Sequence, residues 1–314
     1  VRRALETSAK LAISLGLTWY LAYQMDWPVL GRAFAGTLLL PFAGAVLLFV
    51  LSNVLGAAQW HLLLRVQQIP ISFGKSLVVY HVGVFFNNVL LGNIGGDAMR
   101  IYDIRRLSGQ ASGGVAATVM DRFVGLSSTC TLALIAYLAL PEVHDLASVL
   151  VPIWLGLLVV LGAGVSRRIG RYFEDLARRM LPARLAEIIG SLRQSMGAYR
   201  HQYGLLLGIW ALSLVVQFCR VLVYWAAGLA VGMEVPLAYY VCFQPLAAII
   251  AALPISVGGL GVRENVVVKL FGSVGADANL SFAMSLLGYL AGILASLLGG
   301  VAFVFRRLAP AEDP

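Results

Sequence analysis

Residues 93–100 read NIGGDAMR, and residues 256–263 read SVGGLGVR. The two stretches share the pattern apolar-Gly-Gly-x-x-x-Arg at an offset of 163 residues. Each lies in an apolar segment broken by glycines and polar residues, at about 73–108 and about 236–276. The same offset carries an apolar run at about 38–62 onto 201–225, beside the run at 203–232. It also carries 112–140 onto 275–303, beside the run at 278–305. Motif and flanking runs therefore repeat together.

The whole chain is read from this repeat. Hydrophobic residues make up 60% of the 314 and charged residues 12%, against roughly 25% charged in a soluble chain. A spanning helix needs about 20 apolar residues and tolerates glycine. Six stretches qualify, at about 8–25, 38–62, 112–140, 147–165, 203–232 and 278–305. Arg2, Arg3 and Lys10 precede the first, which reads as an uncleaved span. Between 166 and 202, apolar residues recur at helical spacing among eight arginines, as in an amphipathic helix on a membrane surface, with Pro182 dividing it.

Lys and Arg set the orientation. Arg2, Arg3, Lys10, Arg65, Lys75, Arg100, Arg105, Arg106, the eight arginines from Arg167 to Arg200, Arg306 and Arg307 fall on one side, the cytoplasmic one. Asp26 beside Arg32, Glu142, Asp145, Glu234 and Asp277 fall on the other. Both ends of the chain are then cytoplasmic. This holds only if 73–108 and 236–276 each enter and leave from one face, as re-entrant hairpins of opposite orientation. Eight full crossings are the alternative. With hairpins, each half has three crossings, so the second half inserts upside down, the inverted-repeat plan of many secondary transporters. The expected fold is an all-α polytopic membrane helical bundle, a single domain over 1–314. It divides into repeats at 1–146 and 147–308.

Irregular backbone at membrane depth is tolerated where it is buried in protein or lines a wet cavity. At the tips, Gly95 and Gly96, and Gly258, Gly259 and Gly261, let a ligand approach the backbone. A helix starting there aims free N–H groups at the same point, which suits a phosphate or carboxylate. Arg100 and Arg263 each offer a bidentate guanidinium, beside Asp97 and Glu264. The competing reading is close helix packing, with the arginines snorkelling to the interface. Asn87, Asn88, Asn93, Asp121, Arg122 and Arg220 also lie at membrane depth, with His81 and Gln244 on the approaches. They read as a headgroup path or coupling groups, or as interhelical glue. Cys130, Cys219 and Cys242 have neither disulfide nor zinc spacing, and the sequence implies no metal and no cofactor.

FFNNVLLGNIGGDAMRIYDI at 85–104, DRFVGL at 121–126 and LPISVGGLGVREN at 253–265 resemble the membrane domain of lysylphosphatidylglycerol synthase/flippase proteins. Leu91 stands where many relatives carry proline. The resemblance covers nearly the whole chain. It implies a stand-alone lipid translocase without the soluble synthase domain, in a bacterial inner membrane. The substrate is expected to be a phosphate-bearing lipid, either an aminoacyl-phospholipid or a polyprenyl-phosphate-linked glycolipid. Membrane lipids are the expected partners, and no nucleic-acid motif is visible. Apolar stripes on several spans would also suit a homo-oligomer. No G-x-x-x-x-G-K-[ST] stretch is present, so movement is expected to be downhill or ion-coupled. A membrane enzyme acting on a lipid-linked substrate, a transporter of a small anion and a scaffold are the alternatives.

Overall fold

The computed structural model describes residues 25–89, 95–140, 194–252, 259 and 261–306, with single positions at 19, 20, 23, 151, 152, 154–156 and 159. The expected spans at 8–25 and 147–165 therefore lie outside the described residues apart from those positions. So does the arginine-rich segment before 194. All described regular elements are helical. They are α1 (Trp27–Ala35), α2 (Leu39–Val66), α3 (Phe73–Val89), α4 (Gly95–Ser108), α5 (Ala111–Ala139), α6 (Tyr203–Ala230), α7 (Leu237–Ala252), α8 (Val262–Gly272) and α9 (Ala278–Phe305), with a single 3-10 turn at Gly197–Tyr199.

Four of these helices, α2, α5, α6 and α9, are long and apolar enough to cross a membrane. They have 28, 29, 28 and 28 residues. At 1.5 Å per residue that is about 42 Å, enough for a hydrocarbon core of about 30 Å with some tilt. The helices between them are shorter, with 17 and 14 residues in α3 and α4 and 16 and 11 in α7 and α8. Long, short, short, long thus occurs twice, and both breaks fall on the repeated motif.

In each break the two short arms fold back on each other. In the first, a methyl group at Gly96 would overlap the carbonyl oxygen of Gly83, and the Gly96 N–H donates to Asn87 Oδ1 at 2.8 Å. In the second, Tyr240 and Phe243 at the start of α7 meet Phe271 at the end of α8, at 4.8 and 5.2 Å between ring centroids. Each first arm also sends a tyrosine hydroxyl into a glycine notch on the preceding long helix, Tyr80 on Gly56 and Tyr240 on Gly228.

The long helices α2 and α6 pack side by side and antiparallel. The Leu38 N–H donates to the Ala230 carbonyl at 2.8 Å, Ala45 packs with Val223 and Ala226, and Trp60 and Leu64 pack with Ile209. The partners cross over between halves. The arm α3 packs on α9, where Gly299 admits the His81 carbonyl and Phe86 meets Phe303 at 5.0 Å. The arm α7 packs on α5, where Ala133 and Ala136 join Tyr240 and Phe243 in one buried cluster.

Two local features depart from the sequence reading. The expected outside loop around Asp26 is helical over α1, because Asp26 caps it by accepting from the Val29 N–H at 3.1 Å and Pro28 suits a first turn. The end of the arginine-rich segment is not a wholly surface element. Met196 and Tyr199 are buried, and the Tyr199 hydroxyl donates to the Leu63 carbonyl at 3.1 Å. Gln67 Nε2 fastens Ser195 at 2.9 Å. Burial pushes the Tyr199 phenol well above its ordinary range.

Candidate functional site

The first tip is built around Arg100. From the second turn of α4 its guanidinium meets Asp97 at 2.5 Å and Asp121 of α5 at 3.2 Å. Gln59 of α2 donates to the other Asp121 oxygen at 2.7 Å. The rings of Tyr80 and Trp60 cover the guanidinium at 4.9 and 5.4 Å. Four helices thus converge on one cation whose side chain is 5% exposed. Asp97 is shared with Arg122, whose Nε and Nη2 donate to it at 2.8 and 2.9 Å. Two arginines and two carboxylates balance within the cluster. Buried ions need such pairing and hydrogen bonding to be tolerated.

The second tip is more local. Gly261, at φ +78°, caps α8 in a backbone conformation open mainly to glycine. Its N–H donates to Glu264 Oε2 at 2.7 Å, and its carbonyl accepts from Asn265 Nδ2 at 2.7 Å. The other Glu264 oxygen takes Arg263, with Nε at 3.1 Å and Nη2 also in contact. The Arg263 guanidinium lies over the Tyr289 ring of α9 at 4.6 Å. Tyr224 of α6, against Gly288, is within electrostatic reach of it. Gly259, at φ +77°, presses on Ala251.

The expected site residues sort as follows. Gly95, Gly96, Asp97, Arg100, Asn87, Asp121 and Arg122 gather at the first break, with Asn88 half-buried beside Asn87 on α3. Gly259, Gly261, Arg263 and Glu264 gather at the second. Asn93 and Gly258 lie outside the described residues. Arg220 stands in neither cluster, on α6. Of the approach residues, His81 Nδ1 pairs with the Leu77 carbonyl at 2.9 Å, and Gln244 Nε2 faces Met284 Sδ at 3.7 Å. Sequence reasoning missed Gln59, Trp60, Tyr80, Tyr224 and Tyr289. One signal was available: Trp60 and Tyr224 stand 164 residues apart, nearly the motif offset. It also missed the buried pair of Asp103 on α4 with Arg306 at the end of α9.

Chemically, each acid at these tips is held by an arginine, and each motif arginine lies on an aromatic face. Such an arrangement can brace the helix starts at both breaks and meet an oxyanion. The chain is similar to other membrane proteins over most of its length. A UPF0104 membrane protein of Methanothermobacter thermautotrophicus is 25% identical over 285 residues, covering 80% of this chain and 79% of the relative. A UPF0104 membrane protein of Pyrococcus horikoshii is 20% identical over 322 residues, covering 95% of each chain. The family signature described as the lysylphosphatidylglycerol synthase TM region matches residues 8–300. With nearly the whole chain matched, this multi-pass membrane protein belongs to the lysylphosphatidylglycerol synthase transmembrane-region family.

Proposed function

We propose that the chain is a flippase- or scramblase-like transporter. It moves a phosphate-bearing lipid between leaflets, with the headgroup passing between two re-entrant hairpin tips. The observation that carries this reading is the reciprocal packing of two matched sets of helices. The elements α2, α3, α4 and α5 correspond in order and length to α6, α7, α8 and α9. The corresponding helices α2 and α6 run antiparallel, and the arm of each set packs on the last long helix of the other. A two-fold axis in the membrane plane has these consequences. In this reading both broken segments lie near mid-depth, where transporters of this plan bind substrate.

Within this reading Gly96, Gly259 and Gly261 shape the tips. Asp97, Asp121 and Arg122 hold the first tip in place through Arg100. Arg263, held by one carboxylate, is the tip arginine better able to meet a headgroup phosphate, because Arg100 already faces two. Transport is favoured over catalysis on a lipid-linked substrate because the tip carboxylates are engaged by arginines rather than converging on one open point.

The test is leaflet accessibility in proteoliposomes. Fluorescent phosphatidylglycerol, lysyl-phosphatidylglycerol and a polyprenyl-phosphate sugar are compared, with Arg263→Ala as the variant. Protein-dependent movement of one lipid, lost in the variant, is the expected result. Turnover of a labelled lipid donor in detergent, where no leaflets exist, would instead make the protein an enzyme. Topology has its own check. Cysteines at Ser72 and Ser108 are expected to react only from the cytoplasmic side, and opposite-side labelling would replace the hairpins with full crossings.

A further inference from the structure

The helix α6 carries one polar stripe. Ser213, Gln217, Arg220 and Tyr224 follow at intervals of four, three and four residues, which places them on a single face. That face looks into the bundle. Gln217 Nε2 donates to the Gly125 carbonyl of α5 at 3.3 Å, and the Tyr224 ring packs on Gly288 of α9, next to the tyrosine that carries Arg263. Arg220 lies between these two contacts, about one turn from the midpoint of a 28-residue spanning helix.

The arginines of the bundle then differ in kind. Arg100 and Arg122 are matched by Asp97 and Asp121, Arg263 by Glu264, and Arg306 by Asp103. Arg220 has no carboxylate partner among the described residues, and its Nε is buried without a hydrogen-bond acceptor there. It does not stand alone in this. Asn53, 1% exposed on the antiparallel neighbour α2, has neither amide atom satisfied among the described residues, and the same holds for the buried Ser213 hydroxyl. The register of α2 against α6 puts Asn53 opposite residues near 215. The unsatisfied Asn53 and Ser213 therefore share one level of the α2–α6 pair, within about two turns of the uncompensated Arg220 along α6. An unpaired arginine in a spanning helix is costly, and such residues mark substrate and ion paths.

We propose that Arg220 is the cation that holds the phosphate in transit, and that the substrate is a lipid of net negative charge. The proposal rests on the lipid-transport reading and narrows its substrate. With the cations of both tip clusters matched, Arg220 leaves one net positive charge among the described residues there. A singly anionic headgroup neutralises it. A zwitterionic headgroup brings no net countercharge, and an aminoacyl-phospholipid with a net cationic headgroup adds repulsion. Gln217 and Tyr224 flank the phosphate position with neutral hydrogen-bonding groups.

The experiment uses the full chain in proteoliposomes with phosphatidylglycerol, phosphatidylcholine and lysyl-phosphatidylglycerol as separate probes. Labelled inorganic phosphate is tested in parallel. Wild type is expected to move phosphatidylglycerol fastest and lysyl-phosphatidylglycerol slowest. Arg220→Met is expected to slow phosphatidylglycerol at least tenfold, and Arg220→Lys to retain part of the rate. Arg220→Met is also expected to raise the unfolding temperature in detergent, because an unmatched, partly buried charge is removed. A merely structural arginine would lower it, and that result overturns the proposal. So does wild-type phosphatidylglycerol movement in Arg220→Met, or equal rates for phosphatidylglycerol and lysyl-phosphatidylglycerol in wild type; either leaves the flippase reading intact. Phosphate uptake that depends on Arg220, with no lipid moved, keeps the anion site but overturns both the lipid substrate and the flippase reading. Movement of neither lipid nor phosphate by folded protein overturns everything proposed.

Discussion

The two breaks carry the same motif and hold it differently. In the first, Arg100 is gripped by carboxylates from two helices and by rings from two more, so charge ties α2, α3, α4 and α5 together. In the second, Arg263 and Glu264 are neighbours in α8, and among the described residues only Tyr289 of α9 is recruited across helices by direct contact. The arms there are joined instead by packing of Tyr240, Phe243 and Phe271. A repeated backbone thus tolerates two solutions. An ionic junction demands all its members, because removing one leaves a buried charge exposed to an apolar surrounding. An apolar junction degrades in steps, as contacts are lost.

The sharpest break of this comparison is Asp121→Ala. It strips a carboxylate from Arg100 and a partner from Gln59 at once. The expected cost is about 3–5 kcal/mol in unfolding free energy, the range for breaking a buried pair. The matching change in the second half, Tyr289→Leu, removes one aromatic face from Arg263 and is expected to cost about 0.5–2 kcal/mol. Denaturant titration in detergent compares them. Equal losses would mean that the two tips are held alike.

Glycines sharpen the same contrast. Gly96 is required by space, since a methyl there would overlap the Gly83 carbonyl and the Asn87 side chain. Gly261 is required by its backbone conformation, at φ +78°. Gly96→Ala must push two helices apart and is expected to cost about 3 kcal/mol, at the upper end of overpacking. Gly261→Ala is expected to cost about 1–2 kcal/mol, the strain of a side chain in the left-handed half of φ space. Gly96→Ala is also expected to lower the transport rate more, because it separates the arms that carry Arg100. A larger loss of stability in Gly261→Ala would reverse the assignment of space and strain.

What the sequence made legible follows from the same physics. The four described spans begin and end within a few residues of the apolar runs, since a bilayer selects on length and hydropathy. Both breaks were legible from paired glycines and polar residues. The partners of Arg100 were not. Gln59, Trp60 and Tyr80 sit in runs where nearly every residue is apolar, so no stripe distinguishes an inward from a lipid-facing position. Asp103 and Arg306 pair across 203 residues, and the charge rule that orients spans assigns Arg306 only to a side. The helix α1 escaped notice because its start depends on one cap, Asp26.

The smallest expected effect tests where the ionic junction ends. Arg122 shares Asp97 with Arg100, yet its side chain is 46% exposed against 5% for Arg100. Solvent at that exposure screens the pair, and exposed pairs contribute about 0–1 kcal/mol. Arg122→Ala is therefore expected to cost no more than about 1 kcal/mol, although it removes two hydrogen bonds to the same carboxylate. Asp97 keeps Arg100 in that variant, so the buried cation keeps both its countercharges. If the loss instead approached that of Asp121→Ala, Arg122 would belong to the junction itself. The two arginines and two aspartates would then act as one unit, and the first half would owe its rigidity to four charges rather than to Arg100 and its cage. A double-mutant cycle between Arg122 and Asp121 separates these cases, because independent sites add and members of one network do not.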